Sequence, residues 1–152
     1  MGHVHIEAVE GLPSGAAWAA FLDLNEALFG FGEEAEHLQG FFAQQRRLLL
    51  LLASLEGEPV GYKLGFQMEP GTFESWRGGV LPAARRQGIA RELMNAQHAW
   101  CRAAGFRFVQ TLTSADNAPM LILNLRSGFR ITGTKINRAG RLKVLQEKRL
   151  DG

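Results

Sequence analysis

Two arginines, a glutamine and a glycine, Arg85-Arg86-Gln87-Gly88, stand between a strand-like run ending Val80-Leu81-Pro82 and an amphipathic stretch that begins Ile89-Ala90. Pro82 lacks an N–H and ends a ladder, while Gly88 and Ala90 keep bulk away from the first helical turn. The first N–H groups of a helix have no acceptor within it and carry the positive end of its dipole. With Arg85 and Arg86 alongside, those bare amides make a seat for a phosphate or pyrophosphate. A solvated loop would use the same residue types, so the turn alone leaves both readings open.

The elements around the turn are legible from periodicity. Ile89, Leu93, Ala96, Trp100 and Ala104 recur at helical spacing and would bury one face of a helix from Gly88 to Ala104, with His98 on the opposite, solvent-facing side. His3 to Glu10 alternates as a half-buried edge strand, and Ser14 is placed to cap a helix containing Trp18, Phe21, Leu22, Asn25 and Leu28. Gly30 and Gly32 break that helix before a second one around Ala35 to Gln45. Leu48–Leu55, Val60–Met68 and the run containing Glu74 and Trp76 are joined by short turns, which predicts three antiparallel strands. The central helix then returns the chain to Phe106–Leu112, parallel to the strand before it by a right-handed crossover. Asn117 or Asp116 would cap a further helix with Pro119 in its first turn and Gly128 at its end. Phe129–Asn137 and Leu142–Lys148 form a closing hairpin around Arg138-Ala139-Gly140.

Arg85-x-x-Gly88-x-Ala90 after a strand ending in Val80-Leu81-Pro82 resembles the acyl-CoA signature of the GNAT superfamily of N-acyltransferases. A loop Asn117 followed by a helix through Leu123 and Asn124 to Gly128-Phe129 is similar to the second half of that family's pattern. The resemblance covers nearly the whole chain. It implies a single α/β (α+β) domain over residues 1–152, with a mixed, mostly antiparallel sheet of about seven strands, a splayed parallel pair and flanking helices. It implies acetyl-CoA as co-substrate, with the pantetheine arm between the splayed strands and Val80, Leu81, Arg85, Arg86, Gln87, Gly88, Ile89, Ala90, Asn117 and Asn124 as its binding residues. The activity implied is transfer of the acetyl group to a primary amine by direct attack in a ternary complex.

Acylation needs a neutral amine, and an alkyl amine with pKa about 10.4 is almost wholly protonated at neutral pH. Glu74 matches the position of the catalytic glutamate in some family members and is the candidate base, with Glu69 in reserve. The tetrahedral oxyanion would be held by the backbone N–H of Val80 or its neighbour, beside a bulge that Gly78 and Gly79 would permit. Asn124 stands where the family often places a tyrosine that protonates the leaving thiolate; an amide cannot do this, though it could hydrogen-bond the sulfur or a water. Tyr62, the only tyrosine, lies on another strand and reads as a core or pocket residue. Phe29 and Phe31 with Glu33, Glu34 and Glu36 would rim the acceptor pocket, although acidic residues at a helix start also answer the dipole. The acceptor itself is not specified. Alternatives are another acyl group or an oxygen acceptor, and an acyl-CoA-sensing module without turnover. A homodimer is the family expectation.

Composition narrows the classes further. With 152 residues, 46% hydrophobic and 21% charged, the chain is sized for one globular domain. Its longest aliphatic run, Leu48 to Ala53, is too short to span a membrane, and its start does not read as a secretory signal, so cytoplasmic residence is the expectation. A lone Cys101 reads as a small buried hydrophobe. Arg126, Arg130, Lys135, Arg138, Arg141, Lys143, Lys148 and Arg149 make the last third basic, but without interleaved aromatics they read as a solvated hairpin face rather than a nucleic-acid platform. His3, His5, His37 and His98 lack metal-site spacing, so no metal is expected.

Overall fold

The computed structural model describes residues 3–30 and 34–150. Its elements run β1 (Val4–Glu10), α1 (Gly15–Phe29), α2 (Ala35–Ala43), β2 (Arg46–Leu55), β3 (Glu58–Glu69), β4 (Thr72–Val80), a 3-10 turn (Pro82–Ala84), α3 (Ile89–Ala103), β5 (Phe108–Ser114), α4 (Ala118–Arg126), β6 (Arg130–Ile136) and β7 (Leu142–Arg149). The strands form one seven-stranded sheet in the order β1-β2-β3-β4-β5-β7-β6. All neighbours are antiparallel except β4 and β5, the pair joined through α3. The seven-stranded mixed sheet, its antiparallel run β2-β3-β4 and the parallel pair match the sequence-based expectation, while the place of β7 between β5 and β6 comes from the structure.

Both faces of the sheet are covered, and this explains why Leu48 to Ala53 is apolar without alternation. Leu48, Leu50 and Leu52 pack with Phe21 and Leu24 of α1 and Leu38 and Phe42 of α2. Leu49, Leu51 and Ala53 point the other way, toward Ile89, Leu93, Met94 and Cys101 of α3. Cys101 is wholly buried and its thiol is pushed up to about 12, chiefly by burial. It is an inert apolar filler there.

Ser14 stands at the start of α1 as expected, without a side-chain cap bond, and Gly30 ends the helix in the left-handed conformation, φ 66°. His98 departs from expectation: it is only 2% exposed. A second wall covers that side of α3, with the Phe129 ring centroid 5.6 Å from the imidazole and Lys148 Nζ 3.3 Å from Nδ1. Helical spacing gives the side of α3 that meets the β2 leucines, but not Phe129 and Lys148, which cover His98 from far along the chain. On the hairpin, Arg130, Lys135, Arg138 and Arg141 are exposed, while Lys148 is drawn inward to His98. Among the described residues no helix is long and apolar enough to cross a membrane.

Candidate active site

The parallel ladder between β4 and β5 is short. It pairs Thr72 with Phe108 through Ser75 with Thr111, and the Thr111 hydroxyl donates to the Ser75 carbonyl at 3.0 Å where it ends. Beyond that point β4 runs on to Val80 without β5, while β5 stays bonded to β7 as far as Ser114. The expected splay is therefore present. It opens a cavity of about 540 Å³, lined among others by Lys63, Glu74, Val80, Leu93, Asn117 and Asn124.

A β-bulge lies in β4, but not at the glycines. Leu64 opposes Arg77 and Gly65 opposes Ser75, which leaves Trp76 as the extra residue, whereas Gly78 and Gly79 pair regularly with Lys63 and Tyr62. The expected bulge at Gly78-Gly79 is thus corrected to Trp76. Both glycines answer a steric demand instead: a Cβ at Gly78 would lie 2.7 Å from the Tyr62 carbonyl oxygen, and one at Gly79 would lie 3.1 Å from Leu28. The bulge brings Trp76 and Arg77 to the same face, where the Arg77 guanidinium lies 4.1 Å from the Trp76 ring centroid and 5.3 Å from that of Phe29. Arg77 and Tyr62 both donate to Asn25 Oδ1, at 3.2 and 2.8 Å, which ties α1 to the strand edge.

Val80 closes β4. The Leu81 N–H bonds the Val60 carbonyl at 2.8 Å, and Val80 opposes Gly61. Antiparallel alternation then turns the N–H and C=O of Val80 away from β3, toward the opening. The Val80 carbonyl accepts the Arg85 Nε–H at 2.9 Å, which pins the turn to the strand end. Leu81, by contrast, commits its N–H to β3.

Glu74 opposes Phe66 and so shares its face, the side of α1 and α2. It is 6% exposed and accepts the Gln110 Nε2–H at 3.3 Å. Burial lifts its carboxyl to about 7, against the Gln110 hydrogen bond and the Lys135 charge, which both pull it down. A carboxylate so tuned can take a proton near neutral pH. Glu69 is exposed at the end of β3 and is not among the cavity-lining residues.

At the basic turn the backbone is left-handed at Arg86, φ 65°, and at Gly88, φ 78°, the residue preceding α3. Glu92 N–H is the amide that closes on the Gly88 carbonyl, at 3.0 Å, so Ile89, Ala90 and Arg91 present first-turn amides without helical acceptors. Ile89 offers only its amide, because its side chain is buried in the core under α3. Arg85, Arg86 and Gln87 are exposed, and a Cβ at Gly88 would meet nothing within 4 Å. These residues fit a pyrophosphate.

Asn117 caps α4, its Oδ1 accepting the Met120 N–H at 3.3 Å. Asn124 is buried, and its Nδ2 donates to Gln146 Oε1 at 2.9 Å; Gln146 in turn donates to the Leu121 carbonyl at 3.3 Å. That network binds α4 to β7 and engages the Asn124 amide. Phe29 lines the cavity, Glu34 and Glu36 are exposed and do not, and Phe31 and Glu33 lie outside the described residues. Trp76, Arg77, Thr111 and Lys63 line the cavity without having been singled out from sequence. Lys63 carried a usable signal, being a lysine inside the strand expected at Val60–Met68. Among the described residues no group of three or more His, Cys, Asp or Glu side chains could hold a metal.

The family model described as Acetyltransferase (GNAT) family matches residues 18–129. No curated protein matches the chain. Among solved structures, the ribosomal-protein-S18-alanine N-acetyltransferase from Escherichia coli superposes with TM-score 0.82 at 15% identity, covering 99% of this chain and 96% of that one. Ard1 from Thermoplasma volcanium gives TM-score 0.82 at 14% identity, covering 98% and 99%. A GNAT family acetyltransferase from Elizabethkingia anophelis, with acetyl-CoA bound, gives 0.72 at 17% identity, covering 97% and 98%.

Proposed function

The chain belongs to the GNAT acetyltransferase family, and we propose that it moves the acetyl group of acetyl-CoA to a primary amine by direct attack within a ternary complex. The observation that carries this reading is Glu74: a buried carboxyl lifted to about 7, lining the cavity where β4 and β5 part. The amine nitrogen attacks the thioester carbonyl and gives a proton to Glu74. The Val80 N–H stabilises the oxyanion; the C–S bond then breaks, the acetyl group stays on nitrogen, and CoA departs. The turn from Arg85 to Ala90 holds the pyrophosphate, with Asn117 and Asn124 along the cavity wall. Proximity supplies much of the rate, since the thioester arrives already activated.

Acetyl-CoA consumption with a panel of amines tests it, with Glu74→Gln as the comparison. Turnover lost in that variant while CoA binding persists supports the base; a fully active variant removes it. Asn124 favours one other reading, an acyl-CoA-sensing module, because it offers no ionisable proton to the leaving sulfur. Turnover with any amine excludes that module.

A further inference from the structure

Lys63 reaches the cavity from the face opposite Glu74. Its neighbours Tyr62 and Leu64 pack toward α1 and α2, so strand alternation turns Lys63 to the α3 side. Its partner across the ladder, Leu51, belongs to the core beneath α3. On its other side Lys63 opposes Gly78, in the part of β4 that has already left β5. A Cβ at Gly78 would stand 3.3 Å from Lys63 Cγ, so the glycine gives the lysine stem its room.

The surroundings make this ammonium costly in the absence of an anion. Among the described residues no hydrogen bond or ion pair to Lys63 occurs. The charge of Lys63 is felt by His98 of α3, which is held neutral with its pKa pushed down to about 3 by burial first and then by Lys148, Lys63 and Arg102, while Arg141 and Lys143 are further cations lining the same cavity. An ammonium desolvated by burial, with no ion pair among the described residues, is destabilising unless negative charge arrives beside it. Acetyl transfer brings such a charge, because the sulfur leaves with the electron pair of the C–S bond. Of the α4 residues that line this cavity, Met120, Leu123 and Asn124, the polar one is Asn124, and its amide is engaged by Gln146.

Resting on the acetyl-transfer reading above, we propose that Lys63 is the catalytic acid that protonates the departing CoA sulfur. As the C–S bond breaks, a hydrogen on Nζ passes to sulfur and leaves neutral lysine and CoA thiol. Glu74 holds the proton taken from the amine; it returns one to solvent and Lys63 takes one up, so protons balance over the cycle. The donor suits its acceptor, for burial lowers Lys63 to about 8 and a free thiol ionises at about 8.5. The two carboxyl and ammonium partners thus address the nucleophile and the leaving group from opposite faces of one sheet.

The test requires no acceptor. CoA is bound to the protein and the ultraviolet absorbance of its thiolate is followed against pH, with desulfo-CoA as the blank. An ammonium at the sulfur favours the thiolate, and the coupled pair loses its first proton below the value of free CoA. The expected result is a first thiol ionisation at least about tenfold stronger than in free CoA. Lys63→Met should abolish the effect, Lys63→Gln should do the same, and Lys63→Arg should retain it, with affinity for the neutral-thiol form of CoA, read at a pH below its ionisation, held within about threefold. A bound thiol that titrates alike in the parent and in Lys63→Met or Lys63→Gln overturns the proposal. Absence of CoA binding to the parent overturns the acetyl-CoA reading itself, and this proposal with it.

Discussion

Gln110 Nε2 donates to Glu74 Oε1 at 3.3 Å across the parallel ladder, and the next pair along, Ser75 with Thr111, is the last before the strands separate. The candidate base is therefore held at the mouth of the splay by a side chain of the strand that parts from its own. Gln110 is a neutral donor, so it orients the carboxylate without supplying a full counter-charge. Desolvation remains the larger influence on Glu74.

Replacing Glu74 by Gln keeps shape and removes the base. Turnover with a reactive amine is expected to fall about 10²- to 10⁴-fold, while the acetyl-CoA-induced rise in melting temperature persists. Loss of both together would make Glu74 a structural residue. Steady-state kinetics and thermal melts on the same preparations decide between them.

The pH dependence follows from the raised pKa of Glu74. Catalysis needs the carboxylate, so activity should climb as pH rises through about 7. Gln110→Ala removes a bond that favours the ionised form, and its ascending limb should move to higher pH. Stability runs in the opposite sense. A folded pKa of about 7 above the reference 4.5 means that stability present below pH 4.5 is lost as pH rises through 7. Glu74→Gln should consequently raise the melting temperature relative to the parent above pH 7 and not below pH 4.5.

Acetyl-CoA should stabilise the parent by about 2.7 kcal/mol at a hundredfold excess over Kd. Gly88→Glu places an anion beside the first-turn amides and should abolish that shift. Since Gly88 has φ 78°, any side chain there is strained, so Gly88→Ala is the matched comparison. The alanine variant is expected to start from a lower melting temperature and still respond to ligand. An equal response in the glutamate variant would place the pyrophosphate elsewhere.

Close approach of β3 to β4 is tested by Gly65→Ala. An added Cβ would stand 2.4 Å from the Glu74 carbonyl oxygen and 2.4 Å from the Phe73 ring. Neither neighbour can withdraw cheaply, and a loss of about 1–3 kcal/mol or more in urea unfolding is expected. Gly133→Ala on β6 meets nothing within 4 Å and should stay within about 0.5 kcal/mol of the parent.

Much of the architecture could be read from local patterns. Alternation, helical spacing and turn residues place the strands and helices, and the order of Pro82, Arg85, Gly88 and Ala90 marks an anion turn before α3. The motifs led on to Glu74. Each of these inferences uses residues within a few positions of one another, where backbone geometry relates spacing directly to direction.

What lay beyond the sequence depends on residues far apart along it. Trp76 rather than Gly78-Gly79 takes the bulge because register is a property of two strands, and the glycines are required by Tyr62 and Leu28 from other elements. His98 is buried because β7 and Phe129 return to cover it from residues 129 and 148. Asn124 is engaged by Gln146, and Lys63 faces the cavity, only once the sheet has set them side by side. Sequence alone determined the order of elements and the turn that could hold a phosphate, since both are local. The tertiary structure decided which polar groups are buried and what they face, because burial and ionisation depend on everything that packs around a group.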